Sequence, residues 1–101
     1  MKIIFAPSAI VSLQEIVDFL EARWTVKELE LLENDIEKFM ENLNSKILSY
    51  QKVNPHSSLR VALIAKKQVK IFFDLGEESA DVLLFWANKK DLKDLQKLLK
   101  R

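Results

Sequence analysis

The side chains best able to do chemistry in this sequence are its cations, and they gather late in the chain. Arg60 opens a strand-like segment, and Lys66, Lys67 and Lys70 surround the turn that follows. Lys89 and Lys90 come after the last apolar run, and Lys93, Lys97, Lys100 and Arg101 recur through the final stretch. Clustered Lys and Arg attract phosphates and can stabilise the negative charge that develops in phosphoryl transfer. Lysines at turns and edges also guard a sheet against edge-to-edge pairing. Position in the sequence does not choose between these roles.

The other standard constellations are missing. A single glycine, Gly76, cannot build a phosphate-cradling loop. One histidine excludes a paired-histidine metal site, and no spacing of carboxylates recommends a metal. His56 is the sole base for a Ser-His-Asp triad. It lies in the polar loop Asn54-Pro55-His56-Ser57-Ser58, with no strand or elbow to aim it, and reads as a solvent-exposed loop residue. With no cysteine there are no disulfides, thiolate metal sites or thiol nucleophiles. No metal and no small-molecule cofactor is implied.

The net charge of +1 hides an asymmetry. Residues 1–50 carry five Lys/Arg against nine Asp/Glu, and residues 51–101 carry 11 against six. The second half therefore suits a polyanion or an acidic partner, with an ordinary solvated surface as the alternative. At 101 residues, 49% apolar and 31% charged, the chain has the size and composition of one folded domain spanning 1–101. The apolar run before Pro7 is too short for a secretory signal, and no segment is long enough to span a membrane. These features predict a cytoplasmic protein that does not associate with membranes.

The elements that must position the cations can be read from periodicity. Lys2–Ala6 is short, β-branched and aromatic, and stops at Pro7, as a first strand would. Ser8 is a candidate cap, after which Ile10, Leu13, Ile16, Val17, Leu20 and Trp24 follow at helical spacing. Thr25 and Glu28 have the spacing of a capping box. A second helix then follows at once, with its stripe on Leu29, Leu32, Ile36, Phe39, Met40, Leu43, Ile47 and Tyr50. So short a connection predicts an antiparallel helical hairpin whose carboxylates face water. Tyr50, on that stripe, reads as core.

Beyond residue 58 the period falls to two. Leu59–Ala65, Val69–Leu75 and Asp81–Ala87 read as strands, joined by turns at 66–68 and 76–79 too short for parallel pairing. Asp91–Arg101 reads as a short basic amphipathic helix. The predicted order is β-α-α-β-β-β-α, an α+β domain with a hairpin packed on an antiparallel sheet. In such a meander residues 60, 74–80 and 88–90 are expected toward related ends of neighbouring strands, so that several cations share one face.

Taken in order, these segments resemble the RelE/ParE toxin superfamily of type II toxin–antitoxin, or plasmid stabilisation, systems. The resemblance runs through Ser8-Ala9, the stripe from Leu13 to Leu20, Arg23-Trp24-Thr25, Asn54-Pro55 and Leu59-Arg60. It continues in Lys70-Ile71-Phe72-Phe73, similar to an arginine-Ile-x-tyrosine strand. The run Leu84–Asp91 is similar to a last strand ending in aspartate-x-arginine-glutamine. It implies a growth-inhibiting toxin with a cognate antitoxin as partner. The target would be DNA gyrase for a ParE-like toxin, or ribosome-bound mRNA for a RelE-like endonuclease. For the endonuclease it implies Arg60, Lys70 and Lys89 as phosphate and transition-state cations. From the clustering of cations, Lys66, Lys67, Lys90, Lys93 and Lys97 are expected as target- or nucleic-acid-binding residues.

The departures bear on that choice. Lys70 and Lys89 stand where arginines are usual, Phe73 where tyrosine is usual, and Ala87 where an acidic residue is usual. Lysine keeps the charge but loses the bidentate fork, and phenylalanine has no hydroxyl for proton transfer. The sequence therefore favours a toxin that binds its target over one that cleaves it, with a degenerate, non-toxic relative as a further alternative.

Overall fold

Residues 1–21, 26–45 and 50–87 are described by a computed structural model, side chains 19 and 20 excepted. The elements are β1 (Lys2–Phe5), α1 (Pro7–Glu21), α2 (Val26–Ser45), β2 (Gln51–Lys52), β3 (Leu59–Ile64), β4 (Val69–Leu75) and β5 (Ser79–Ala87). The five strands form one sheet in the order β1-β5-β4-β3-β2. The α+β fold and the sequence of hairpin and meander are as expected. Several details differ: β2 is an added two-residue edge strand, β3 stops at Ile64 so that Ala65 belongs to the turn, β5 starts at Ser79, Tyr50 lies beyond α2, and β1 pairs parallel to β5. The sheet is thus mixed rather than purely antiparallel. The capping box at Thr25 and the final helix at 91–101 lie outside the described residues.

Both helices cover one face of the sheet. Ala9 and Ile16 of α1 and Leu32, Phe39 and Leu43 of α2 are buried against Ala62, Ile64, Val69, Ile71, Phe73, Val82 and Phe85. Burying each large side chain of this set contributes about 1.5–3 kcal/mol. The opposite face carries a smaller cluster of Phe72, Leu84 and Trp86, flanked by Leu59 and Val61. Alternation along β4 explains the division, because Val69, Ile71 and Phe73 point one way and Lys70, Phe72 and Asp74 the other.

On β5 the alternation breaks once. Phe72 pairs with Leu84 while Phe73 pairs with Val82, so Leu83 is an extra residue in the ladder. This bulge lets Val82 and Phe85, three residues apart, both face the helices. It falls where β1 runs out, since β1 ends at Phe5 opposite Val82. Beyond that point α1 takes over the edge of β5. Ser8 Oγ donates to the Leu83 carbonyl at 2.6 Å, and Ser12 Oγ accepts from the Phe85 amide at 2.9 Å. One helical turn separates the two serines, so they follow the strand as a substitute for β1.

Ser8 is therefore not the helix cap. The Ala6 carbonyl accepts from the Ile10 amide at 3.2 Å, which makes Ala6 the N-cap residue and Pro7 the first helical residue. Proline suits that position because its missing N–H would have no partner there.

Replacing Ser12 with alanine removes the acceptor of a buried amide, which costs about 1–3 kcal/mol. Urea denaturation of Ser12→Ala should show a lower midpoint at unchanged slope. A midpoint equal to wild type would mean that β5 does not depend on the serine.

Candidate functional site

Arg60 and Lys70 are separated by the sheet itself. Arg60 shares the parity of Ala62 and Ile64 and pairs with Phe73, so it lies on the helix-facing side. Its Nη1 donates to the Tyr50 carbonyl at 2.9 Å, while Nε is buried and meets no acceptor among the described residues. Around it Phe39, Tyr50 and Phe73 meet edge to face, with ring centroids 5.1 to 5.7 Å apart. Tyr50 packs against the core as expected, although it lies beyond the end of α2 at Ser45 and directly precedes β2. Phe73 is fully buried and occupies a packing position.

Lys70 pairs with Leu63 on one side and Trp86 on the other, on the opposite face. It also lies at the other end of the strands. Arg60 is near the end marked by Leu75 and Ser79, whereas Lys70 is next to the β3–β4 turn. Arg60 shares that end with residues 74–80, as expected, whereas residues 88–90 lie outside the described residues. Ala87 pairs with Val69, which brings the chain out of β5 at the turn end. Lys89, Lys90, Lys93 and Lys97 lie outside the described residues.

Lys66 and Lys67 occupy the β3–β4 turn, and their backbone is unusual. Ala65, Lys66 and Lys67 have φ of 51°, 55° and 68°, and none of them is glycine. The Gln68 amide donates to the Ala65 carbonyl at 3.0 Å, so Lys66-Lys67 are the central pair of a turn of the I′ kind. That turn matches the twist of a hairpin but prefers Asn-Gly, because a side chain in the left-handed region costs about 1–2 kcal/mol. Asp35 of α2 reaches this turn, its Oδ2 accepting from the Ala65 amide at 2.8 Å. Beside the contact is a cleft of about 320 Å³ lined by Glu28, Leu31, Asp35, Ala65, Lys66 and Gln68.

The described residues contain no group of three or more His, Cys, Asp or Glu placed to hold a metal ion. His56 is exposed, and its own amide donates to Asn54 Oδ1 at 2.9 Å within the loop. No described helix is long and apolar enough to cross a membrane. The arrangement offers two separated cationic features, a clasped Arg60 inside and a Lys66-Lys67-Lys70 group at the turn end. Reading the sequence did not single out Asp35. On the α2 pattern it is one of several water-facing carboxylates, and nothing local marks it as the partner of a residue 30 positions away.

No protein-family model matches the chain, and no curated protein matches it either. Among solved structures, a chain of the chromosomal ParDE TA system from P. aeruginosa is similar in fold. It aligns with a TM-score of 0.64 at 12% identity, covering 86% of this chain and 95% of that one. At that identity the likeness is one of fold.

The turn geometry gives a test independent of function. Lys66→Asn places a residue that tolerates positive φ, and should stabilise the chain by about 0.5–1 kcal/mol. Lys66→Ala keeps the strain and should leave stability unchanged. Thermal melts that rank the two the other way would show that the turn is not left-handed in solution.

Proposed function

We propose that this chain is the toxin of a type II toxin–antitoxin module, of the ParE-like kind. It would act in the cytoplasm by binding a target such as DNA gyrase, and be neutralised by a cognate antitoxin. The fold likeness to a chain of a ParDE system and the ordered RelE/ParE-like segments support the toxin reading.

One observation supports binding over cleavage: Arg60 and Lys70 lie on opposite faces of the sheet. In-line attack on a phosphodiester needs its cations to converge on one phosphate. A guanidinium tied to Tyr50 on one side and an ammonium on the other cannot do so without the sheet coming apart. Full burial of Phe73 adds to this, since neither its chemistry nor its position supplies a proton donor. In this reading Lys66, Lys67, Lys90, Lys93 and Lys97 contact the target, and Arg60 holds the fold. No small-molecule cofactor takes part.

Induced expression without a partner should arrest bacterial growth, and co-expression with the neighbouring open reading frame should relieve the arrest and yield a tight complex. The purified chain should inhibit DNA supercoiling by gyrase and leave mRNA on translating ribosomes intact. Codon-specific mRNA cuts that disappear in Arg60→Ala would replace this reading with the endonuclease. Normal growth on expression would replace it with a non-toxic relative.

A further inference from the structure

The β3–β4 turn is the most strained described backbone, and it carries two of the lysines assigned above to the target. Three consecutive residues other than glycine adopt positive φ there. Each costs about 1–2 kcal/mol relative to an ordinary conformation, and such strain persists only where the surroundings over-determine it. The ladder closes the turn at Ile64 opposite Val69, and the Gln68 amide closes it across Ala65. Those bonds are common to any hairpin. What is particular here is a tie from the helical layer, the Asp35 carboxylate on the amide of the first strained residue.

The edge position of that amide explains why it needs an acceptor. β2 pairs only with Arg60 and Val61, so no described strand follows β3 as far as Ala65. Ala65 is itself buried, and a buried amide left without an acceptor costs about 1–3 kcal/mol. Asp35 bridges α2 and the turn beside a cleft lined also by Glu28, Leu31, Lys66 and Gln68.

We infer that Asp35 is a positioning residue: its carboxylate holds the turn left-handed and so fixes how Lys66 and Lys67 meet the target. This rests on the toxin reading for the role of the lysines, but the clamp itself rests on geometry alone. The pair of lysines replaces the Asn-Gly that the turn would prefer, and the bond from α2 offsets part of that conformational cost. A carboxylate in the middle of α2 thereby governs two cations at the tip of the β3–β4 hairpin.

The full chain tests this with two readouts, exchange of the Ala65 amide followed by NMR and growth arrest on induction. Asp35→Ala should raise Ala65 exchange by about tenfold or more. It should also weaken growth arrest as far as Lys66→Gln/Lys67→Gln does. Asp35→Asn, which keeps an oxygen acceptor, should retain both properties. In Asp35→Ala/Ala65→Gly the glycine relieves part of the strain, and growth arrest should return although the clamp is gone. Ser12→Ala, destabilised elsewhere, should keep its growth arrest. Unchanged Ala65 exchange in Asp35→Ala overturns the clamp. Full toxicity of Asp35→Ala, or an equal loss in Ser12→Ala, overturns the positioning role. A wild-type chain that does not slow growth overturns the toxin reading, and with it the role of the lysines, whatever the exchange data show.

Discussion

A sheet edge must satisfy its outward backbone groups, and most of this fold follows from how two short edges are handled. β1 and β2 are too short to cover β5 and β3. The uncovered amides and carbonyls are met by helix side chains instead: Ser8 and Ser12 of α1 along β5, and Asp35 of α2 at the end of β3. Each helix is thereby tied to the sheet by polar contacts as well as by its apolar stripe. Buried apolar contact is non-directional, whereas these bonds fix the register of helix against strand. The Leu83 bulge belongs to the same device, because the carbonyl that Ser8 engages is that of the extra residue.

That register decides what the cations can do. Arg60 and Lys70 carry the same charge and stand on neighbouring strands, yet the two-residue period of β structure sends them to opposite faces. Bringing both to one side would require a one-residue slip of β3 against its own alternation. The slip would expose Ala62 and Ile64 and bury Leu63, so the apolar core holds the cations apart.

The parts legible in the sequence are those with an unambiguous period. Most of the two helical stripes (the exposed Ile10 and Tyr50 beyond α2 excepted), the three long strands and the turns between them could be read because apolar residues recur at 3.6 or at 2. The short β2 could not, since Gln51-Lys52 is two polar residues and pairing alone makes it a strand. The face taken by Arg60 was equally hidden. In Leu59-Arg60-Val61-Ala62-Leu63-Ile64 apolar residues fill both parities, as they do in β4, because both faces of the sheet carry apolar clusters. Alternation then loses its power to tell inside from outside. The left-handed turn was invisible for another reason: Ala-Lys-Lys-Gln contains none of the residues that announce positive φ. Its geometry comes from the hairpin twist and from Asp35, both of them tertiary.

Arg60 makes a structural contact at the junction between α2 and the sheet. Its Nη1 grips the Tyr50 carbonyl where the chain returns from α2 to the sheet, and that grip sets the Tyr50 ring against Phe39 and Phe73. A lysine could offer charge here but not the planar fork of several donors. The cost is the buried Nε, which has no acceptor among the described residues. A donor left in that state destabilises by about 1–3 kcal/mol. The edge-to-face contacts of the three rings contribute about 0.5–1.5 kcal/mol each, which is enough to offset it. The guanidinium is thus tied, through the Tyr50 carbonyl, to the residue whose ring packs on Phe39 of α2 and Phe73 of the sheet.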